Sequence, residues 1–170
     1  MSGSSPLGRY ALPGDGGDLV EVRLLGTPLE LLVRAREHHD DLMREFRVLS
    51  LAGRADERDA PVRLLELTEI LGRRYGAAGS RRDQEVDEAL ARGEATMDLV
   101  YEVPPAVSGA ALAMDALMNE ADAFCADAQL LTLERDPLLK QFAAWYLDQF
   151  VVQCAGGPAV AWAGPLTLES

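Results

Sequence analysis

A mainly α fold, a bundle of about five helices with at most a short two-stranded ribbon, is what this sequence predicts. Three observations point there. Apolar residues recur at three- and four-residue spacing through most of residues 27–155. Most of these segments begin at a capping residue or a proline and stop at a glycine. Only residues 18–25 and 96–103 alternate in the manner of strands. An α+β domain with more sheet is the alternative.

Residues 1–17, rich in Gly, Pro and Ser, read as a flexible lead. DLVEVRLL, from Asp18 to Leu25, sets Val20 and Val22 against Glu21 and Arg23 and reads as a strand or extended arm. Thr27 then stands as an N-cap, with Pro28 at the first helical position and Glu30 three residues after the cap. Leu32, Ala35, Leu42, Phe46 and Leu49 mark the inward stripe of this first helix, His39 completes it, and Gly53 ends it. After a polar loop, Asp59 caps a second helix that runs to Tyr75 and stops at Gly76. Leu64, Leu67 or Thr68, Leu71 and Tyr75 mark its inward face.

Ser80 caps a third helix to Arg92, with Val86, Ala89 and Leu90 inward, and Gly93 stops it. Thr96–Val103 is the second extended stretch, ended by Pro104-Pro105. A fourth helix, 106–126, turns Leu112, Ala113, Ala116, Leu117, Ala123 and Phe124 to one side, and 130–133 is a connector. Asp136 and Pro137 start a fifth and most aromatic helix, with Phe142, Trp145 and Phe150, which Gly156-Gly157-Pro158 terminates. Residues 18–155 thus form one helical domain, and 156–170 a tail.

The net charge of −12 is uneven. Residues 1–85 hold 13 arginines against 15 acids, whereas 86–170 hold three basic residues against 13 acids. Such a surface repels phosphate backbones and anionic lipid, so nucleic-acid and membrane-surface roles are disfavoured. A protein partner with a basic surface would be steered toward it. No apolar run approaches the ~20 residues of a membrane span, and the start of the chain lacks a signal-peptide pattern, so cytoplasmic is the expectation. Cys125 and Cys154 form no CxxC and read as reduced thiols.

No motif assembles catalysis. His38 and His39 diverge by ~100° on a helix and cannot share an ion, and no third histidine exists, so neither a metal nor any cofactor is expected. There is no GxSxG elbow, and neither cysteine has an activating neighbour in sequence. The exposed face of the first helix, Arg34, Glu37, His38, Asp41, Arg44 and Glu45, reads as a partner-docking face joined by Asp115, Glu120 and Asp122 from the acidic region. A second set, His39, Tyr75, Trp145 and Tyr146, would line a ligand pocket between helices.

RAREHHDDLMREF, PVRLLELTEILGRRYG, the VYEVPP step and DALMNEADAFCADAQLLTL…FAAWYLDQFV together resemble a small acidic actinobacterial family. That family occurs with kinase-type ATP-binding anti-sigma factors and their antagonists. The resemblance spans about residues 20–155 and implies a partner-switching pathway, with no catalytic residues to carry over. The Asn-containing and Gly-rich ATP boxes of such kinases are missing here. The leading expectation is therefore a non-catalytic regulatory protein that binds another protein, with a homodimer also open. A helical small-ligand sensor is the alternative, and an enzyme of unrecognised type the third.

Overall fold

The computed structural model describes residues 17–128 and 131–168. The lead expected at 1–17 therefore lies almost wholly outside them, as does Leu130 of the connector. The element order is β1 (Val20–Pro28), α1 (Leu29–Leu51), α2 (Ala60–Ala91), β2 (Thr96–Val103), α3 (Val107–Ala128) and α4 (Pro137–Cys154). The protein is mainly α with one two-stranded antiparallel ribbon, the predicted class. Among the described residues no helix is long and apolar enough to cross a membrane.

The helix ends fall where the sequence punctuates them, with two exceptions in position. Asp59 does stand at the N-cap of α2, but its carboxylate accepts from the Asp56 N–H at 2.8 Å and does not cap the helix. Gly53, Gly93 and Gly156 take φ of 66°, 77° and 87° just past α1, α2 and α4. In each case the glycine N–H bonds the carbonyl three residues back, and the next N–H the one five back, for example Gly53 to Ser50 and Arg54 to Leu49. This Schellman closure satisfies two of the otherwise orphaned carbonyls and needs a left-handed residue. Asp136 caps α4 by accepting from the Leu138 N–H at 2.7 Å.

The first exception is Thr27. It lies in β1, fully buried, and its hydroxyl donates to the Leu24 carbonyl, so Pro28 is the N-cap. The Leu29 N–H is satisfied instead by the Ala95 carbonyl at 3.0 Å, a tertiary bond that replaces the predicted side-chain cap. The second exception is the expected stop at Gly76 and restart at Ser80. Residues 60–91 form one 32-residue helix, and the Ser80 hydroxyl bonds back to the Gly76 carbonyl at 3.0 Å. Packing at both ends overrides the local preference to break.

β1 and β2 pair from Val20↔Val103 to Leu24↔Leu99, and the register shifts by one before Thr27↔Met97. The extra residue makes a bulge at which Gly26 has φ 62° and donates to the Asp98 carboxylate at 2.7 Å. The outer edge of β1 is covered. The Gln153 side chain accepts from Arg23 N–H at 2.9 Å and donates to the Arg23 carbonyl at 2.8 Å, and Trp162 N–H donates to the Leu25 carbonyl. A primary amide thus imitates a neighbouring strand, and the C-terminal tail supplies the next bond along. Gln149 binds both Gln153 and the Val160 N–H, so the tail is docked.

Two apolar clusters form the core. One joins the ribbon, the starts of α1 and α3, the end of α2, and α4 through Val22, Leu24, Leu31, Val86, Leu99, Val107, Phe142 and Phe150. The other joins the end of α1, the start of α2 and α3 through Leu42, Phe46, Leu49, Leu64, Leu67 and Leu117. The α3 face differs from the expected one. Leu112 is exposed, while Val107, Ala110, Ala111, Met118, Ala121 and Cys125 are buried. A helix apolar nearly all round leaves its period unable to select a side. Leu90 of α2 is likewise on the exposed side.

α2 therefore belongs to both clusters. Leu64 and Leu67 anchor its first half, Val86 and Ala89 its second, and no described side chain between them is buried. Gly72, Gly76 and Gly79 fall in that middle, which half-buried Leu71 and Tyr75 rest against the two clusters.

Candidate functional site

The middle of α2 bridges a cleft of about 900 Å³. Its inner wall is apolar: Leu32 of α1, Ala110 and Met118 of α3, and Leu139, Phe142 and Phe150 of α4 are all buried. Tyr101 of β2 and Tyr146 of α4 also line it, their hydroxyls hydrogen-bonded to one another at 2.9 Å. Burial raises the pKa of both phenols, so they stay neutral. Volume and lining are those of a site that encloses most of a small ligand.

The rim is charged. Arg36 of α1 pairs with Asp83 at 2.8 Å, and Arg82 pairs with Glu85 at 2.6 Å. Arg82 also donates to the Val100 carbonyl and lies over the Tyr101 ring, 5.4 Å from its centroid. Exposed Glu21, Asp40 and Glu102 complete the rim.

His39, Tyr75 and Tyr146 of the predicted pocket set do line this cleft. Trp145 does not. Its indole N–H donates to the Val160 carbonyl and its ring meets Trp162 edge-on, so it fastens the tail. The predicted docking face is divided. Arg34 with Glu37, and Arg44 with Asp41, form exposed pairs within α1, worth ~0–1 kcal/mol each. Glu45 instead accepts from the Leu131 and Thr132 N–H groups at 2.9 and 2.8 Å, pinning the connector to α1. Burial alone would raise its pKa, but hydrogen bonds from Thr132 and Leu131 prevail and lower it. Glu120 pairs with Arg63 at 2.7 Å, and Asp115 is half-buried.

Asp122 is a correction. It is only 5% exposed and cannot meet a partner as a surface acid. It holds Arg135, itself 4% exposed, through Nε at 3.0 Å, Nη2 at 2.8 Å and the main-chain N–H at 2.9 Å. Arg135 Nη2 also reaches Asn119 at 3.0 Å. A carboxylate nearly two helical turns from the end of α3 is thereby tied to the residue before the N-cap of α4. Arg135 lines the cleft and was missed in the sequence, although its isolation was a signal. It is the first cation after Arg92 in a stretch of acids and apolar residues.

His38 and His39 lie on the α1 surface facing this pair. His39 is near the Thr68 hydroxyl of α2, Nε2 to Oγ1 3.5 Å, a loose contact. His38 Nε2 is buried with no hydrogen-bond partner among the described residues. Burial is the main cause that lowers both pKa values. Arg135 adds to it in each case, against Asp122 and Asp41 for His38 and Asp40 for His39. The folded protein therefore holds neutral imidazoles that the unfolded chain protonates below the ordinary value of 6.5. This contribution to stability is complete above pH 6.5 and is lost as pH falls below it toward the depressed folded values. Urea unfolding at pH 7.5 and 5.5 should show lower stability at the acidic value, and a smaller loss in His39→Gln. The lowered Glu45 titrates in a separate window, below 4.5.

The thiols lie apart, Cys125 in the α1–α2–α3 cluster and Cys154 against the ribbon cluster. Burial pushes Cys125 up to about 11 and also raises Cys154, so neither is an activated nucleophile at neutral pH. Among the described residues, no group of three or more His, Cys, Asp or Glu is placed to hold a metal ion. No protein-family model, no curated protein and no solved structure matches the chain.

Proposed function

We propose that this chain is a non-catalytic binding domain that receives a small, largely apolar molecule between its helices. The cleft is the observation that carries this reading. Its inner wall is made by helices anchored in two separate cores, and the α2 segment across it is held by half-buried side chains, Leu71 against one core and Tyr75 against the other, rather than by a fully enclosed one. Each glycine in that segment weakens the helix by roughly 0.5–1 kcal/mol relative to alanine. A ligand entering beneath it can therefore bend or stiffen α2 and change the relation of the two cores. The resemblance to partner-switching regulators gives such a change a recipient, a signalling protein.

Protein docking is the second reading, and a specific surface favours it. Val48 and Leu51 at the end of α1 and Leu131 and Leu133 of the connector are 63%, 89%, 94% and 75% exposed. The Glu45 clamp holds that connector against α1. In this reading the apolar strip, bordered by Asp41 and Arg44, replaces the wider face read from the sequence.

Ala143→Trp tests the first reading. Ala143 lines the cleft from α4, and the empty volume accommodates an indole. In a thermal-shift screen of metabolites, a true ligand at a hundred times its Kd adds ~2.7 kcal/mol to the natural chain. The variant, folded and of similar intrinsic melting temperature, should show none of that shift. Shifts that survive in Ala143→Trp would place binding elsewhere and sink the proposal.

A further inference from the structure

The cleft contains one buried charge whose hydrogen-bonding capacity is not used up. A guanidinium carries five N–H donors in a fixed plane. Arg135 directs Nε and Nη2 at Asp122 and Nη2 also at Asn119, while Nη1, on the opposite edge of the fork, makes no hydrogen bond among the described residues. Nη1 is not one of the buried polar atoms left without a partner, so it keeps part of the slight exposure of a side chain 4% accessible, in a residue that lines the cavity, and can take an acceptor there. The main-chain and side-chain bonds to Asp122 fix this group in advance, so little entropy is lost when it binds.

We propose that the cleft takes an aliphatic monocarboxylic acid. Its carboxylate sits between Arg135 Nη1 and the His39 ring, and its chain lies along Met114 and Met118 of α3 and Phe142 and Phe150 of α4. This rests on the binding reading above and names its ligand.

The charges around the site are already balanced, Arg135 and Lys140 against Asp122 and Glu134, so one added negative charge is tolerated better than two. Arg135 and Lys140 both approach Asp122, Lys140 Nζ at 3.9 Å, and Lys140 is shared with exposed Glu134 at 3.0 Å. Exposed Asp40 and Asp41 on α1 lie toward solvent beside the two histidines. A carboxylate uses the remaining edge of the guanidinium, whereas a phosphate dianion would set two charges beside Asp122. His39 holds Thr68 only loosely and can turn a donor to the ligand. The rim arginines Arg36 and Arg82 are weaker candidates, because their side chains are 31% and 28% exposed and water screens a carboxylate there, whereas that of Arg135 is 4% exposed.

The body of the ligand follows from the inner wall. The hydroxyls of Tyr101 and Tyr146 satisfy each other, so that part of the wall asks for no hydrogen bond. Unbranched methionine side chains adapt to a flexible chain in a way that a rigid aliphatic wall does not. The space suits an extended hydrocarbon.

The test compares decanoate, 1-decanol and decylammonium on the full chain by calorimetry, below their aggregation concentrations. Decanoate should bind at least about tenfold tighter than decanol, the worth of one charge-assisted hydrogen bond, and decylammonium weakest. Arg135→Lys should remove that preference and leave decanol unaffected. NMR of the natural chain gives a second readout that needs no variant: bound decanoate should raise the His39 titration midpoint, and decanol should not. Equal binding of acid and alcohol, or an unmoved His39, would overturn the proposal. So would a preference kept in Arg135→Lys but lost in Arg36→Gln or Arg82→Gln. If no decyl compound binds but another ligand does so in a manner sensitive to Ala143→Trp, this inference fails and the binding reading stands. If nothing binds there, both fail.

Discussion

Replacing Asp122 with alanine is expected to lower stability by about 3–5 kcal/mol, the cost of leaving a buried charge without its partner. Arg135 would remain 4% exposed with Nε and its main-chain N–H unanswered, since both bond Asp122. Lys140 at 3.9 Å would also lose the buried end of its charge contact. The damage reaches past the pair, because Arg135 precedes the Asp136 cap of α4, and α4 supplies a wall of the cleft. Asp41→Ala is the matched control, since it breaks an exposed 2.8 Å pair with Arg44 and should cost under about 1 kcal/mol. Asp122→Leu combined with Arg135→Met should recover much of the loss, as apolar substitutes for buried pairs often do. Equilibrium urea unfolding reads all three. An Asp122→Ala cost no larger than that of Asp41→Ala would mean that water reaches the pair and that it does not hold α3 to α4.

The contrast between these two acids shows what sequence patterning can and cannot reveal. Asp41 and Asp122 both follow the rules of a polar helix position, and nothing local separates them. Their environments differ because Arg135, 13 residues beyond Asp122, returns along the connector to cover one of them. Glu45 is similar: on α1 it looks like a surface acid, yet it caps the backbone of residues 131 and 132. Elements bounded by strong local chemistry were legible: the Schellman glycines, the Asp136 cap, the Thr96–Val103 strand and the inward stripe of α1 with His39 half-buried on it. The stop expected at Gly76 was a correct reading of local preference and a wrong one of the fold, because anchors some 19 residues apart hold α2 straight through it. His39, Tyr75 and Tyr146 line the cleft, as aromatic and imidazole side chains on apolar faces turn into helix interfaces. Trp145 went instead to the tail, whose docking depends on the distant amides of Gln149 and Gln153.

Phe142→Ala should cost about 3–5 kcal/mol, as removal of a fully enclosed aromatic ring does. Phe142 is 1% exposed and meets Trp145, Tyr146 and Trp162 with ring centroids 5.9, 6.0 and 5.8 Å away. Its ring is thus the common contact of the cleft wall and the docked tail. The two tryptophans of the chain both touch it, so their emission reports its loss directly. Trp162 packs edge-on against the Phe142 ring, an arrangement worth ~0.5–1.5 kcal/mol beyond burial, and without it the tail keeps its polar ties, the edge contact of Trp162 with Trp145 and the packing of Leu168. A red-shifted emission maximum at low urea, ahead of the loss of helical signal, is therefore expected in Phe142→Ala and not in the natural chain. Phe46→Ala, in the other core cluster, should destabilise to a similar degree without that early shift, since its aromatic neighbour is Phe124. If both variants moved the emission together with helix loss, the tail would be part of one indivisible unit rather than a strap closed over α4 by a single ring.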